Sequence, residues 1–242
     1  SRLLGMKEPR ADYISVVAGA FVEPVVTLLD RLFAIRHPGT TDVQTGAREN
    51  GYSISSCLLL VVMLESFIVR AKMITRTTAA RRKRQALDFF RAAYPQCPLL
   101  GDVEELFVLR DVIAHNHIWH IQFATSRGRW MRPLHRAVDA ASGDKKWRAT
   151  VDVALGVTRR LKLKVQPTMI DRYDVAVVLD TVLATLAFID EQEGGRLGIH
   201  GLRGDFLGEE DVDLWHVQSR VRERPTTCFS GSAGSRCSPP DR

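Results

Sequence analysis

Apolar residues recur at three and four between Ala11 and Arg36, through Ile14, Val17, Phe21, Val25, Leu28, Leu29, Leu32 and Phe33. That period predicts a helix with one buried face. Pro24 falls inside the pattern, so the expectation is a kink or two shorter helices. His37 to Gly46 is predicted as a loop from its Pro-Gly start and the small polar residues that follow. A second long helical pattern runs from about Tyr52 to about Thr78. Its first half is apolar nearly all round, through Ile54, Leu58, Leu59, Leu60, Val61, Val62, Met63 and Leu64. A helix apolar on every face is predicted to be central. Glu65 interrupts that run. A carboxylate on a central helix is costly to desolvate unless it is paired, so Glu65 either reaches the rim or buttresses an Arg or His from another helix.

Gln85 to Tyr94 continues as an amphipathic helix that Pro95 and Pro98 end. Asp102 is the expected N-cap of the next helix, with Glu104 and Glu105 in its first turn. Val103, Leu106, Phe107, Val108, Val112 and Ile113 carry that helix to about Ala114. The period then switches from helical to alternating across Ile118 to Ala124, which predicts a strand. Turn signals at Ser126–Arg129 and Ala141–Lys146, with short alternating runs at Ala149–Leu155 and Arg159–Pro167, predict a small antiparallel β insertion over about 117–166. Pro167 opens the last long helix, to about Glu191 or Glu193, and Gly194-Gly195 stops it. The glycine-spaced stretch 194–208 is predicted to be a flexible loop, with a short helix in Glu209–Val221. Residues 1–10 are a flexible lead-in. Residues 222–242 are rich in Ser, Thr, Gly, Pro and Arg and are predicted to be disordered. The fold class is therefore mainly α, with a small antiparallel β insertion before the last long helix.

Composition refines this only modestly. With 45% hydrophobic and 26% charged residues, the 242-residue chain is ordinary for a globular protein that buries a full core without disulfides. Its cysteines form no CxxC pair, which argues against a structural zinc site and fits reduced thiols in the cytoplasm. The start has no apolar core of signal-peptide length, and Cys57–Val69 is too short to span a bilayer, so no membrane segment is expected. The net charge of +6 matters more. It suits a polyanionic partner, of which nucleic acid is the commonest, and equally a mildly basic enzyme without one. The positive charge is concentrated: Arg70, Lys72, Arg76, Arg81, Arg82, Lys83 and Arg84 follow one another with no acid between them. Such a run is either a solvated face or a contact for a phosphate backbone.

The candidate chemistry lies in Leu109–Phe123, where Arg110, Asp111, His115, Asn116, His117 and His120 cluster. No GxSxG, HExxH or Walker A pattern occurs, and the histidines lack the aspartate of an HxHxDH metal site, so no metal or other cofactor is expected. Arg and His suffice for a different chemistry. RNA carries its own nucleophile, the 2′-hydroxyl; a near-neutral imidazole moves a proton, and a guanidinium holds the phosphate. Five residues on a regular helix rotate by about 500°, which leaves Arg110 and His115 roughly 140° apart. Bringing them together takes a distorted helix end, a second protomer, or both. The alternative is structural: Arg and His near a helix C-terminus also satisfy carbonyls and the dipole.

The segment Arg110–His115, RDVIAH, resembles the Arg-polar-x3-His motif of HEPN-domain proteins, helical bundles in which this motif ends a late helix. The resemblance implies a HEPN-like antiparallel helical bundle over about 11–193, a homodimer with a composite cleft, metal-independent endoribonuclease activity and, often, a role as a toxin or anti-phage effector, with an antitoxin or regulatory partner. It places Arg110 and His115 at the catalytic positions and Asp111 at the polar position. Glu65 is a looser match to an acidic residue on an earlier helix, and Asn116 and His117 are supporting positions. The basic run Arg70–Arg84 is then the expected RNA contact. A non-catalytic HEPN-like module that binds RNA, nucleotide or a partner protein is the alternative.

Overall fold

A computed structural model of the chain describes residues 17–35, 44–76, 78–115, 119–126, 129–138 and 145–223. The architecture is mainly helical, with small antiparallel two-stranded sheets. A 3-10 turn at Ala18–Phe21 leads into α1, Val22–Ala34. Pro24 does not kink α1. It sits in the first turn, where its missing N–H would have had no intrahelical partner. Then come α2 (Ala47–Ile74), a short α3 (Thr78–Arg81), α4 (Ala86–Ala93) and α5 (Leu100–Ala114).

Helix α2 is the axis of the core. Cys57, Leu60, Val61, Met63, Leu64, Phe67, Ile68 and Ala71 are all buried on it, and α1, α4, α5 and α7 (Arg172–Gln192) pack around it. This accounts for the all-round apolarity of the sequence there. The helix is longer than the apolar run Cys57–Val69 alone suggests, and by length and composition α2 is long and apolar enough to cross a membrane; half of that apolar window is buried inside the fold.

Polar ties fix how the helices start and stop. Glu49 of α2 holds Arg172 of α7 through two hydrogen bonds of 2.8 and 3.1 Å, and the same guanidinium donates to the Ile35 carbonyl at the end of α1. Asn50 donates to the carbonyls of Pro167 and Ile170 at 2.8 and 2.9 Å. Helix α7 itself opens later than Pro167, which lies in a separate 3-10 turn. Asp171 and Asp174 form a capping box at its true N-terminus. Their carboxylates also bind Lys164, at 2.8 and 3.2 Å, and so dock the preceding loop.

The β insertion is present, with different contents. β1 (Trp119–Ser126) and β2 (Arg129–Val138) form an antiparallel ribbon with irregular register near Phe123. The expected turn at Ala141–Lys146 lies partly outside the described residues, but Lys145–Thr150 is a short helix, α6. Of the two runs read as strands, the first holds only Val151–Asp152 (β3), which pairs with Val157–Thr158 (β4) lying between the runs, and the second, Arg159–Pro167, contributes only a bridge from Lys164 to Val157. Trp147 explains the helix: it is buried with Val108 and Val112 of α5 and with Val151 and Val165, so burying an indole outweighs the local turn preference.

The glycine-spaced stretch is not a loose loop either. Leu197, Ile199, Leu202 and Phe206 are buried. Arg203–Phe206 (β5) and Glu209–Asp213 (β6) form a hairpin against α1, followed by α8, Leu214–Glu223. Gly204 is required there. A Cβ on it would stand 3.1 Å from Val26 Cγ2 and 2.9 Å from a Glu23 carboxylate oxygen. The predicted lead-in, residues 1–10, and the predicted tail beyond Glu223 lie outside the described residues.

Candidate active site

Helix α5 begins at Leu100 with Leu99 as its N-cap, not at Asp102. Asp102 is instead in the first turn, where it binds the Arg160 side chain at 2.6 Å. Glu105 turns inward, almost wholly buried, and accepts the backbone N–H groups of Arg160 and Leu161, each at 2.8 Å. The motif helix is thereby stapled to the end of the insertion.

At the other end of α5, Arg110 lies between two carboxylates. Its Nη1 donates to Glu65 Oε2 at 2.5 Å, across to α2. Its Nε and Nη2 both donate to Asp111 Oδ1, at 3.0 and 2.7 Å. The side chain is 23% exposed, and the Phe107 ring lies under it with its centroid 4.9 Å from Cζ. Burial pulls the guanidinium's pKa down, but the hydrogen bonds and charges of Asp111 and Glu65 outweigh it and raise the net value. A guanidinium offers five N–H donors, three of which are engaged by these carboxylates. The other two have no hydrogen-bond partner among the described residues.

Glu65, its side chain 36% exposed, both reaches the rim and pairs with the motif arginine, so each of its two expected readings holds in part. The partner is cross-helix and is not visible from periodicity alone. Phe107 was legible only as a core residue. A further cation enters from α6: Lys146 Nζ stands 3.6 Å from Asp111 Oδ2 and 5.7 Å from the Phe107 centroid.

His115 is the C-cap of α5, with φ −99° and ψ 4°, and is exposed. Its backbone N–H still donates to the Asp111 carbonyl, at 3.0 Å. The helix therefore breaks after His115 rather than before it, and the backbone retains the angular offset from Arg110 that a regular helix dictates. Its ring makes no hydrogen bond or ion pair among the described residues. Asn116 and His117 lie outside them, as does the side chain of His120.

The basic run divides into two groups. Lys72 Nζ donates to the Lys83 carbonyl at 2.5 Å. Arg81 donates to the carbonyls of Met73 and Thr75, closing the end of α2 as cations at helix C-termini do. Arg70 packs by the Gly198 turn, with Nη2 3.1 Å from where a Cβ on that glycine would stand. Arg76, Arg82, Lys83 and Arg84 are exposed. Glu65 and Lys72 are seven residues apart on α2, so they share one face about 10 Å apart along the axis. Lys72 thereby ties the Lys83 backbone to the face of α2 that carries Glu65.

No family model, curated protein or solved structure matches the chain.

Proposed function

We propose that this chain is a metal-independent endoribonuclease of the HEPN type, acting as a homodimer on RNA. The observation that carries the reading is the placement of its motif: a braced, solvent-reachable Arg110 with donors to spare, and an exposed His115 at the end of the same helix. In the reaction the 2′-oxygen bonds to phosphorus while the P–O5′ bond breaks. The 2′-hydroxyl loses its proton and the departing 5′-oxygen gains one, giving a 2′,3′-cyclic phosphate and a 5′-hydroxyl. Arg110 stabilises the charge on the phosphoryl oxygens, and His115 performs one of the two proton transfers. Asp111 and Glu65 set the plane of the guanidinium. Since α5 stays regular up to His115, a second protomer facing this one is the direct way to place an Arg and a His on one phosphate. The exposed cations Arg76, Arg82, Lys83 and Arg84 draw in the RNA backbone. A cytoplasmic toxin or anti-phage role, checked by an antitoxin or other regulatory protein, belongs to the same proposal.

One observation favours the other reading, a non-catalytic module that binds RNA, nucleotide or a protein. Two carboxylates already engage Arg110, as in a purely structural ion cluster. Incubating the full chain with single-stranded and structured RNA in EDTA separates the two. The ribonuclease reading expects cleavage that falls by roughly 100-fold or more in His115→Ala, the usual scale of a lost general acid–base. Equal cleavage by both proteins, or none by either, refutes it.

A further inference from the structure

The trio Glu65, Arg110 and Asp111 has a charge problem. One cation stands against two carboxylates, so the trio alone carries a net negative charge and repels a phosphodiester. Lys146 removes the excess. Its ammonium is 3.6 Å from Asp111 Oδ2, on the oxygen that Arg110 does not use. It shares the Phe107 ring with Arg110, the two cations lying 5.7 and 4.9 Å from the centroid.

The position of Lys146 is built rather than incidental. The next residue, Trp147, is buried against Val108 and Val112 of α5. The Thr150 hydroxyl donates to the Lys146 carbonyl at 2.8 Å. The ammonium itself stays partly open, with the side chain 26% exposed. The insertion is in turn held to α5 by Glu105 and to α7 by Lys164. A segment outside the motif thus delivers a cation to the motif's carboxylate.

We propose that Lys146 is a substrate-binding residue of this site, neutralising Asp111 and contacting the RNA phosphate beside Arg110. The β insertion is then part of the active site and not an appendage to it. This inference rests on RNA being the ligand, as proposed above. It needs no proton transfer by Lys146 and does not require that cleavage occur.

The test compares the full chain with Lys146→Met, which keeps the stem on Phe107, and Lys146→Arg, which keeps the charge. The probe is a single-stranded RNA with 2′-O-methyl groups throughout, which binds but supplies no nucleophile. Its affinity is read by fluorescence anisotropy across a salt series, with KM and kcat measured in parallel on unmodified RNA. Lys146→Met is expected to weaken binding about 10-fold at low salt and to lower the salt slope by about one phosphate contact. KM rises correspondingly, kcat changes far less, and Lys146→Arg restores most of the affinity. Unchanged affinity and slope in Lys146→Met overturns the inference. So does a Lys146→Arg variant as weak as the methionine, since that indicates a packing role. A wild-type chain that cleaves nothing but loses the salt slope on Lys146→Met supports the inference and overturns the ribonuclease reading alone. A wild-type chain that does not bind RNA overturns both.

Discussion

Glu105 offers a sharp test of how the motif helix is joined to the insertion. Its carboxylate is 1% exposed and each oxygen accepts one backbone N–H at 2.8 Å, from Arg160 and from Leu161. Glu105→Gln keeps the shape, retains one acceptor and turns an amide NH2 against the remaining N–H. Hydrogen bonds to charged groups contribute about 1.5–3 kcal/mol each, and an unsatisfied buried donor costs about 1–3 kcal/mol. Arg160 itself is exposed, so water relieves part of that cost and the lower half of the range applies. The expected loss is about 2 kcal/mol, or about 4–8 °C in Tm for a chain of this size. Urea unfolding measures the free energy, and native-state hydrogen exchange reads the two amides directly. Protection at Arg160 and Leu161 should fall while the core of α2 remains protected near the global limit. A variant within about 0.5 kcal/mol of the wild type, with both amides exchanging as before, would rule out this role for Glu105.

Two further outcomes follow from the packing and the charges. Gly204→Ala places a methyl 2.9 Å from the Glu23 carboxylate and 3.1 Å from Val26, and should cost about 1–3 kcal/mol in urea unfolding; Gly201→Ala, whose Cβ meets nothing within 4 Å, is the near-neutral control. Burial pushes the Asp174 carboxyl up to about 6 despite the opposing Lys164, so the folded chain holds a proton that the unfolded chain has released. That contribution to stability is complete below the ordinary carboxylate value and is lost as pH rises through about 6. The urea midpoint should therefore show a falling limb between about pH 4 and pH 6 that Asp174→Asn flattens; an identical limb in the variant contradicts the assignment.

The long helices were legible because burial imposes a period on them. The unbroken apolarity of Leu58–Leu64 marks α2 as the central helix. The end of α5 at Ala114 and the strand from Trp119 were equally readable, because the alternation changes there. What sequence could not supply was partner identity across elements. Glu65 was conspicuous as a carboxylate in an apolar run, but only packing reveals that its partner is Arg110. Lys146 looked like part of a turn, since nothing local shows that Trp147 buries against α5 and pulls α6 into a helix beside the motif. The hairpin β5–β6 was hidden for the opposite reason. Its glycines suggested freedom, whereas Gly204 serves close approach to α1 and the apolar residues between the glycines are core. Within the basic run, composition could not distinguish Lys72 and Arg81, which bind carbonyls, from Arg82 and Arg84, which face solvent.

In the proposed reaction RNA supplies the nucleophile, Arg110 stabilises the charge on the phosphoryl oxygens and His115 makes one of the two proton transfers. Its most direct test is a single comparison in EDTA: one oligonucleotide of all-RNA sequence, and the same sequence with 2′-deoxy sugars, each cleaved by the wild-type chain and analysed by mass spectrometry. The RNA is expected to give fragments ending in 2′,3′-cyclic phosphate, and the deoxy-substituted strand to stay intact. Cleavage of both strands, or RNA products ending in a 3′-hydroxyl, would contradict it.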